Sequence, residues 1–193
     1  MPANPLPTFL ALCVLLPGAV QAAPIDDFVA LVARRNAIAQ DVAAFKYPAG
    51  RPVDDPAREA QVLQDKHARA VDLGLDPDRV VHFYRQAMDA NKLIQYVAFH
   101  RYAAGQVPPR APPLDALRRA IDRVDTQLLA LWPRLEPVRG TATCGARLAD
   151  AVDQSTPSVL QHTALVRALV GFCSLDGSGE ADAQRAGASP RGA

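Results

Sequence analysis

The sequence predicts an all-α fold, about six helices gathered in a single helical-bundle domain. Three observations carry that prediction. Apolar residues recur at three- and four-residue spacing almost throughout, and strict alternation is rare. Asp55-Pro56, Asp76-Pro77 and Thr156-Pro157 each put a capping side chain before a proline at a first helical position. Nearly all of the 17 prolines fall between the periodic stretches, where they separate helices.

The elements follow in order. Residues 1–23 carry no charged side chain, and Phe9 to Leu16 is an apolar run followed by Pro17-Gly18 and then small residues. This predicts a secretory signal peptide over 1–22, cleaved near Ala22 and too short in its apolar run to span a bilayer. No Lys or Arg precedes the run, so the alternative is a buried N-terminal helix. The folded domain is then 23–175, with helices expected over 25–46, 56–72, 77–104, 114–135, 141–152 and 157–174. Gly105 to Pro113 is a proline-rich connector. Residues 176–193 hold Gly, Ala, Ser and Asp without apolar periodicity, which predicts a disordered tail.

Composition narrows the function. Lys and Arg total 21 against 20 acidic residues, a net charge of +1, which argues against a nucleic-acid or acidic-membrane binder. With the signal removed, no membrane association is expected. Lys and Glu are scarce, at three each, so each is worth locating. Cys13 leaves with the signal, and the remaining pair, Cys144 and Cys173, predicts a disulfide in an oxidising compartment; two buried free thiols are the alternative. His67, His82, His100 and His162 stand in no metal-ligand spacing, so no metal is expected. No glycine-rich phosphate loop and no G-x-S-x-G is present.

Candidate functional residues cluster along the first three helices. Arg35 and Lys46 are eleven apart on the first, about 1100° of turn, so their side chains share a side roughly 16 Å apart along the axis. Two long cations so placed can grip one small anion, although a lysine at a helix end also suits the dipole without any ligand. Asp55 caps the second helix, and Arg58 and Glu59 fill its first turn. An arginine there opposes the helix dipole, which hints at another purpose; a local pairing with Asp55 is the simpler reading. Asn91 and Gln95, four apart, share a face of the third helix, where neutral amides commonly make structural hydrogen bonds. In the fourth helix Arg118 and Arg119 are adjacent, and either can face inward.

Taken together, Arg35, Lys46, Pro52-Val53-x-Asp55-x-x-Arg58-Glu59 and Asn91-x-x-x-Gln95 resemble the all-helical, AroQ-type chorismate mutases in order and spacing from about 27 to 102. The signal segment, the extra C-terminal helices and the late cysteine pair are similar to the exported subclass, periplasmic or secreted. The resemblance implies a pocket built within one chain, with Arg118, or its neighbour Arg119, replacing an arginine that a partner subunit supplies in smaller intracellular relatives. A homodimer is compatible with the resemblance but not required by such a pocket.

The implied reaction is the [3,3] rearrangement of chorismate to prephenate, which needs no cofactor, nucleophile or proton transfer. By resemblance Arg35 and Arg118 hold carboxylates, with Asn91 assisting and Arg58 orienting that end. Glu59 and the backbone around Asp55 bind the ring hydroxyl. Lys46 and Gln95 donate to the ether oxygen. The rival expectation is a non-catalytic exported helical protein that binds a small dicarboxylate or a protein partner.

Overall fold

The computed structural model describes residues 24–156 and 158–173. Within them the order is α1 (Pro24–Lys46), α2 (Pro56–Asp72), α3 (Pro77–Ala103), α4 (Leu114–Arg139), α5 (Cys144–Ser155) and α6 (Val159–Ala168), with no strand. The expected signal peptide (1–22) and tail (176–193) lie outside the described residues. No described helix is long and apolar enough to cross a membrane.

Two of the three proline-marked starts form as the sequence predicts. Asp55 accepts from the Arg58 amide, and Asp76 accepts from the amides of Asp78 and Arg79. At the third, the cap is Ser158 rather than Thr156. Ser158 accepts from the Gln161 amide, while the Thr156 hydroxyl accepts from the Ser158 amide and shapes the turn ahead of the helix. The fourth helix runs on to Arg139 through Pro133 and Pro137, beyond the expected end at 135. A proline inside a helix costs about 3 kcal/mol. Here the same stretch buries Trp132 and Leu135 and sends Arg139 into the core, so packing outweighs propensity.

The helix ends explain two glycines. Gly74, at φ +67°, closes α2 with the Leu75 amide donating to Ala70 O and the Gly74 amide to Val71 O. Gly171, at φ +75°, follows α6, and a Cβ there would stand 3.1 Å from His82 Nε2.

Helix α1 is the axis of the bundle. It packs chiefly on α4 and α3, with α5 and α6 closing over it; α2 packs principally on α3. The first turns of α1 bury Ile25, Phe28, Val29 and Val32 in the main core. Phe28 stacks on Phe172 with centroids 4.5 Å apart; Trp132 packs edge-on against both, and Phe83 lies tilted against Phe28. Arg139 donates to Phe172 O at 2.8 Å and lies over the Trp132 and Phe172 rings. Cys144 and Cys173 form the expected disulfide, tying the start of α5 to the segment after α6. The last turns of α1 bury smaller apolar groups, Val42 against Leu114 and Leu117, and Ala43 and Ala44 against Tyr102. Between the two halves lies a polar layer beginning at Arg35 and Asn36.

Candidate active site

Helices α1 to α4 and the loop 47–55 surround a cavity of about 350 Å³. Every sequence-predicted site residue lines it: Arg35 and Lys46 from α1, Asp55, Arg58 and Glu59 around the start of α2, Asn91 and Gln95 from α3, and Arg118 from α4. The choice left open in the fourth helix is settled for Arg118; Arg119 is exposed and does not line the cavity. Among the described residues no group of His, Cys, Asp and Glu is arranged to hold a metal ion.

Each side chain is held by a different device. Arg35 is 4% exposed. Its Nε donates to Asp125 Oδ1 at 3.0 Å and its Nη1 to Ala87 O at 3.2 Å, so two edges of the guanidinium are fixed. Lys46 Nζ donates to Val53 O at 2.8 Å, which uses one of three ammonium hydrogens and holds the loop over the cavity. Burial lowers the Lys46 pKa most; Asp55 opposes this, and Arg51 and Arg118 add to it. Val42 and Val53 give that ammonium apolar walls.

The amides form a short chain. Asn91 Nδ2 donates to Asn36 Oδ1 at 2.8 Å, and Gln95 Nε2 reaches Asn91 O at 3.4 Å. Gln95 Oε1 and Asn36 Nδ2 are buried without a hydrogen-bond partner. Such groups are costly, about 1–3 kcal/mol each, and a cluster of them marks a layer not built for stability.

At the start of α2, Asp55 and Glu59 make a reciprocal cap. Arg58 N donates to Asp55 Oδ1 at 3.2 Å, and Asp55 N approaches Glu59 Oε1 at 3.5 Å. The Arg58 guanidinium does not pair with Asp55. Its Nη1 donates to Gln61 Oε1 at 3.1 Å. Arg118 pairs loosely with Asp115 at 3.4 Å and is 38% exposed at the cavity wall.

Several lining or supporting residues were not singled out by sequence reasoning. Lys92 pairs with Glu59 at 3.0 Å and Asp89 at 3.1 Å. Asp54 accepts from the Tyr96 hydroxyl and fastens the loop to α3. Asp125 pairs with both Arg35 and Lys66. The only signal in the sequence was the rarity of lysine: Lys46, Lys66 and Lys92 all stand at or behind this cavity.

Comparison with known proteins agrees with this geometry. A family profile for chorismate mutase type II matches residues 25–96. The secreted chorismate mutase of Mycolicibacterium smegmatis is 30% identical over 134 residues, 68% of this chain and 74% of that protein. The secreted chorismate mutase of Mycobacterium tuberculosis is 29% identical over 156 residues, 77% of this chain and 78% of that protein. A crystal structure of chorismate mutase from Burkholderia thailandensis superposes with a TM-score of 0.74 at 32% identity, covering 79% of this chain and 100% of that one. With the helix order, the cavity and these similarities in agreement, the chain belongs to the chorismate mutase type II family.

Proposed function

We propose that this cavity converts chorismate to prephenate, and that the cavity-lining cations and amides divide the work as follows. Arg35 and Arg118 hold the two substrate carboxylates, with Asn91 beside one of them and Arg58 orienting that end. Glu59 and the backbone at Asp55 receive the ring hydroxyl. Lys46 and Gln95 donate to the ether oxygen as its bond to carbon breaks. The observation that carries this reading is a single cavity lined by Arg35, Arg58 and Arg118 together with Lys46 and Gln95.

The physical demands of the reaction fit these groups. The rearrangement is unimolecular and moves no proton, so catalysis rests on conformation and charge. Arginines gripping both carboxylates select a compact, near-attack conformer. Negative charge at the ether oxygen is greater in the transition state than in the ground state, so donors aimed there lower the barrier rather than tighten substrate binding alone. Lys46 keeps two ammonium hydrogens beyond its bond to Val53 O, and Gln95 Nε2 keeps one beyond Asn91 O. A millionfold acceleration requires about 8 kcal/mol, and one such donor supplies roughly 3–4 kcal/mol of it.

Export is part of the same proposal. Relatives of this chain are named secreted, and the Cys144–Cys173 disulfide suits an oxidising compartment. The folded unit is taken as 23–175, and the site residues of one chain line the cavity together, an arrangement compatible with a homodimer and not requiring one. The test is loss of the ultraviolet absorbance of chorismate on adding purified mature protein. Turnover is expected. Retained prephenate binding with no turnover would instead establish a non-catalytic dicarboxylate binder.

A further inference from the structure

Behind Arg35 lies a buried charge cluster that the roles above do not use. Asp125, on α4, is 2% exposed and receives Arg35 Nε at 3.0 Å on one oxygen and Lys66 Nζ, from α2, at 2.7 Å on the other. Lys66 is 12% exposed and does not line the cavity. Both cations lie over the Tyr84 ring, Lys66 Nζ at 4.9 Å and Arg35 Cζ at 5.9 Å from its centroid. The Tyr84 hydroxyl donates to Asp125 O at 3.2 Å; burial first, and then the Asp125 charge, push its pKa well above the ordinary value.

We propose that Asp125 and Lys66 are a pair of positioning residues for Arg35, Asp125 fixing the guanidinium and Lys66 restoring its charge toward the substrate. The inference rests on the dicarboxylate reading above. An aspartate that orients an arginine also cancels it: the pair alone is neutral and attracts a substrate carboxylate weakly. Two cations around one anion leave one net positive charge; Arg35 and Asp125 both line the cavity, and Lys66, set behind them, leaves the Arg35 charge uncancelled there. With Nε and one Nη1 hydrogen engaged, its remaining donors are directed by bonds to α4 and α3. Lys66 therefore acts on substrate affinity without touching substrate.

A carboxylate bears its charge in both ground and transition states, so loss of Lys66 weakens uniform binding. Lys66→Gln is expected to raise KM roughly fivefold to tenfold with kcat within about twofold, and Lys66→Arg to restore KM. Asp125→Asn keeps an acceptor for Arg35 Nε while removing the anion, so its KM does not rise and kcat falls as Arg35 loosens. A brace that merely fastens α2 would lower the melting temperature in Lys66→Gln with KM unchanged, and that result overturns the proposal. So does an equal rise of KM in Lys66→Gln and Asp125→Asn. Wild-type protein assayed in parallel separates the two failures: no wild-type turnover sinks the functional reading, whereas wild-type turnover with unaltered Lys66→Gln kinetics sinks this inference alone.

Discussion

The two halves of α1 are built on opposite terms. From Ile25 to Val32 the helix enters an aromatic, disulfide-braced core in which Phe28, Phe83, Trp132 and Phe172 are almost fully buried. From Arg35 to Lys46 the same helix lines a cavity with buried charge and partly satisfied amides. Burying a Phe or Trp side chain contributes roughly 3 kcal/mol. Buried ion pairs such as Arg35–Asp125 contribute little net stability, since desolvation offsets attraction. One end therefore holds the bundle together, and the other holds costly groups in a fixed arrangement. Substitutions at the two ends should separate activity from stability.

The sharpest separation is expected at Lys46. Lys46→Ala should lower kcat/KM by at least two orders of magnitude, in keeping with roughly 3–4 kcal/mol for a donor at developing charge. Its melting temperature should move little, because Lys46 is only half-buried and makes one hydrogen bond, to Val53 O. Near-normal turnover would remove Lys46 from the mechanism. The mirror-image result is expected at the other end. Replacing Cys144 and Cys173 together by Ser opens a loop spanning 29 residues. That should cost about 3–4 kcal/mol in the chain-entropy treatment, read by denaturant titration, while kcat below the unfolding transition stays within about twofold.

The halves also differed in how far they could be read from the sequence. Period and proline placement sufficed for the helices, and the spacing of Arg35 and Lys46 put both on the cavity side of α1. What escaped depended on long-range contacts. Asp125 is indistinguishable in the sequence from other helical aspartates, and only the approach of α1 and α2 to α4 makes it a partner of Arg35 and Lys66. Adjacent residues on a helix differ by about 100°, so choosing Arg118 over Arg119 required the rotation of α4, which packing sets. The extension of α4 past 135, through Pro137 to Arg139, was hidden for a similar reason: local propensity argues for a break, and burial of Arg139 in the core overrides it.

Smaller effects probe the cavity end by pH. Gln95 donates through an amide at any pH, whereas a carboxyl must be protonated to donate. Gln95→Glu should lose roughly tenfold to a hundredfold in kcat/KM near neutrality and regain activity as pH falls through the carboxyl pKa. A pH–rate profile unchanged from wild type would count against the assignment. Lys46 should set the alkaline limb. Its pKa lies below the ordinary 10.5, mainly through burial, so the ammonium is lost earlier as pH rises. The decline in wild-type kcat/KM should thus begin below that value, and Lys46→Arg should abolish the limb whatever activity it retains.

The mildest test lies outside the cavity. Asp76 caps α3 by accepting from the amides of Asp78 and Arg79, and its second oxygen pairs with Arg79 Nε at 3.1 Å. That pair is exposed and contributes little, so the cap dominates. Asp76→Ala should cost about 1 kcal/mol, or about 2–4 °C in melting temperature for a domain of this size. Helix α3 carries both Phe83 of the aromatic core and Gln95 of the cavity, on one continuous rod. If the rod is held along its length by packing, loosening its first turn should leave kcat/KM within about 1.5-fold of wild type. A larger fall at unchanged melting temperature would mean that the braced end transmits strain to Gln95, and the division of labour along the bundle would fail at its weakest link.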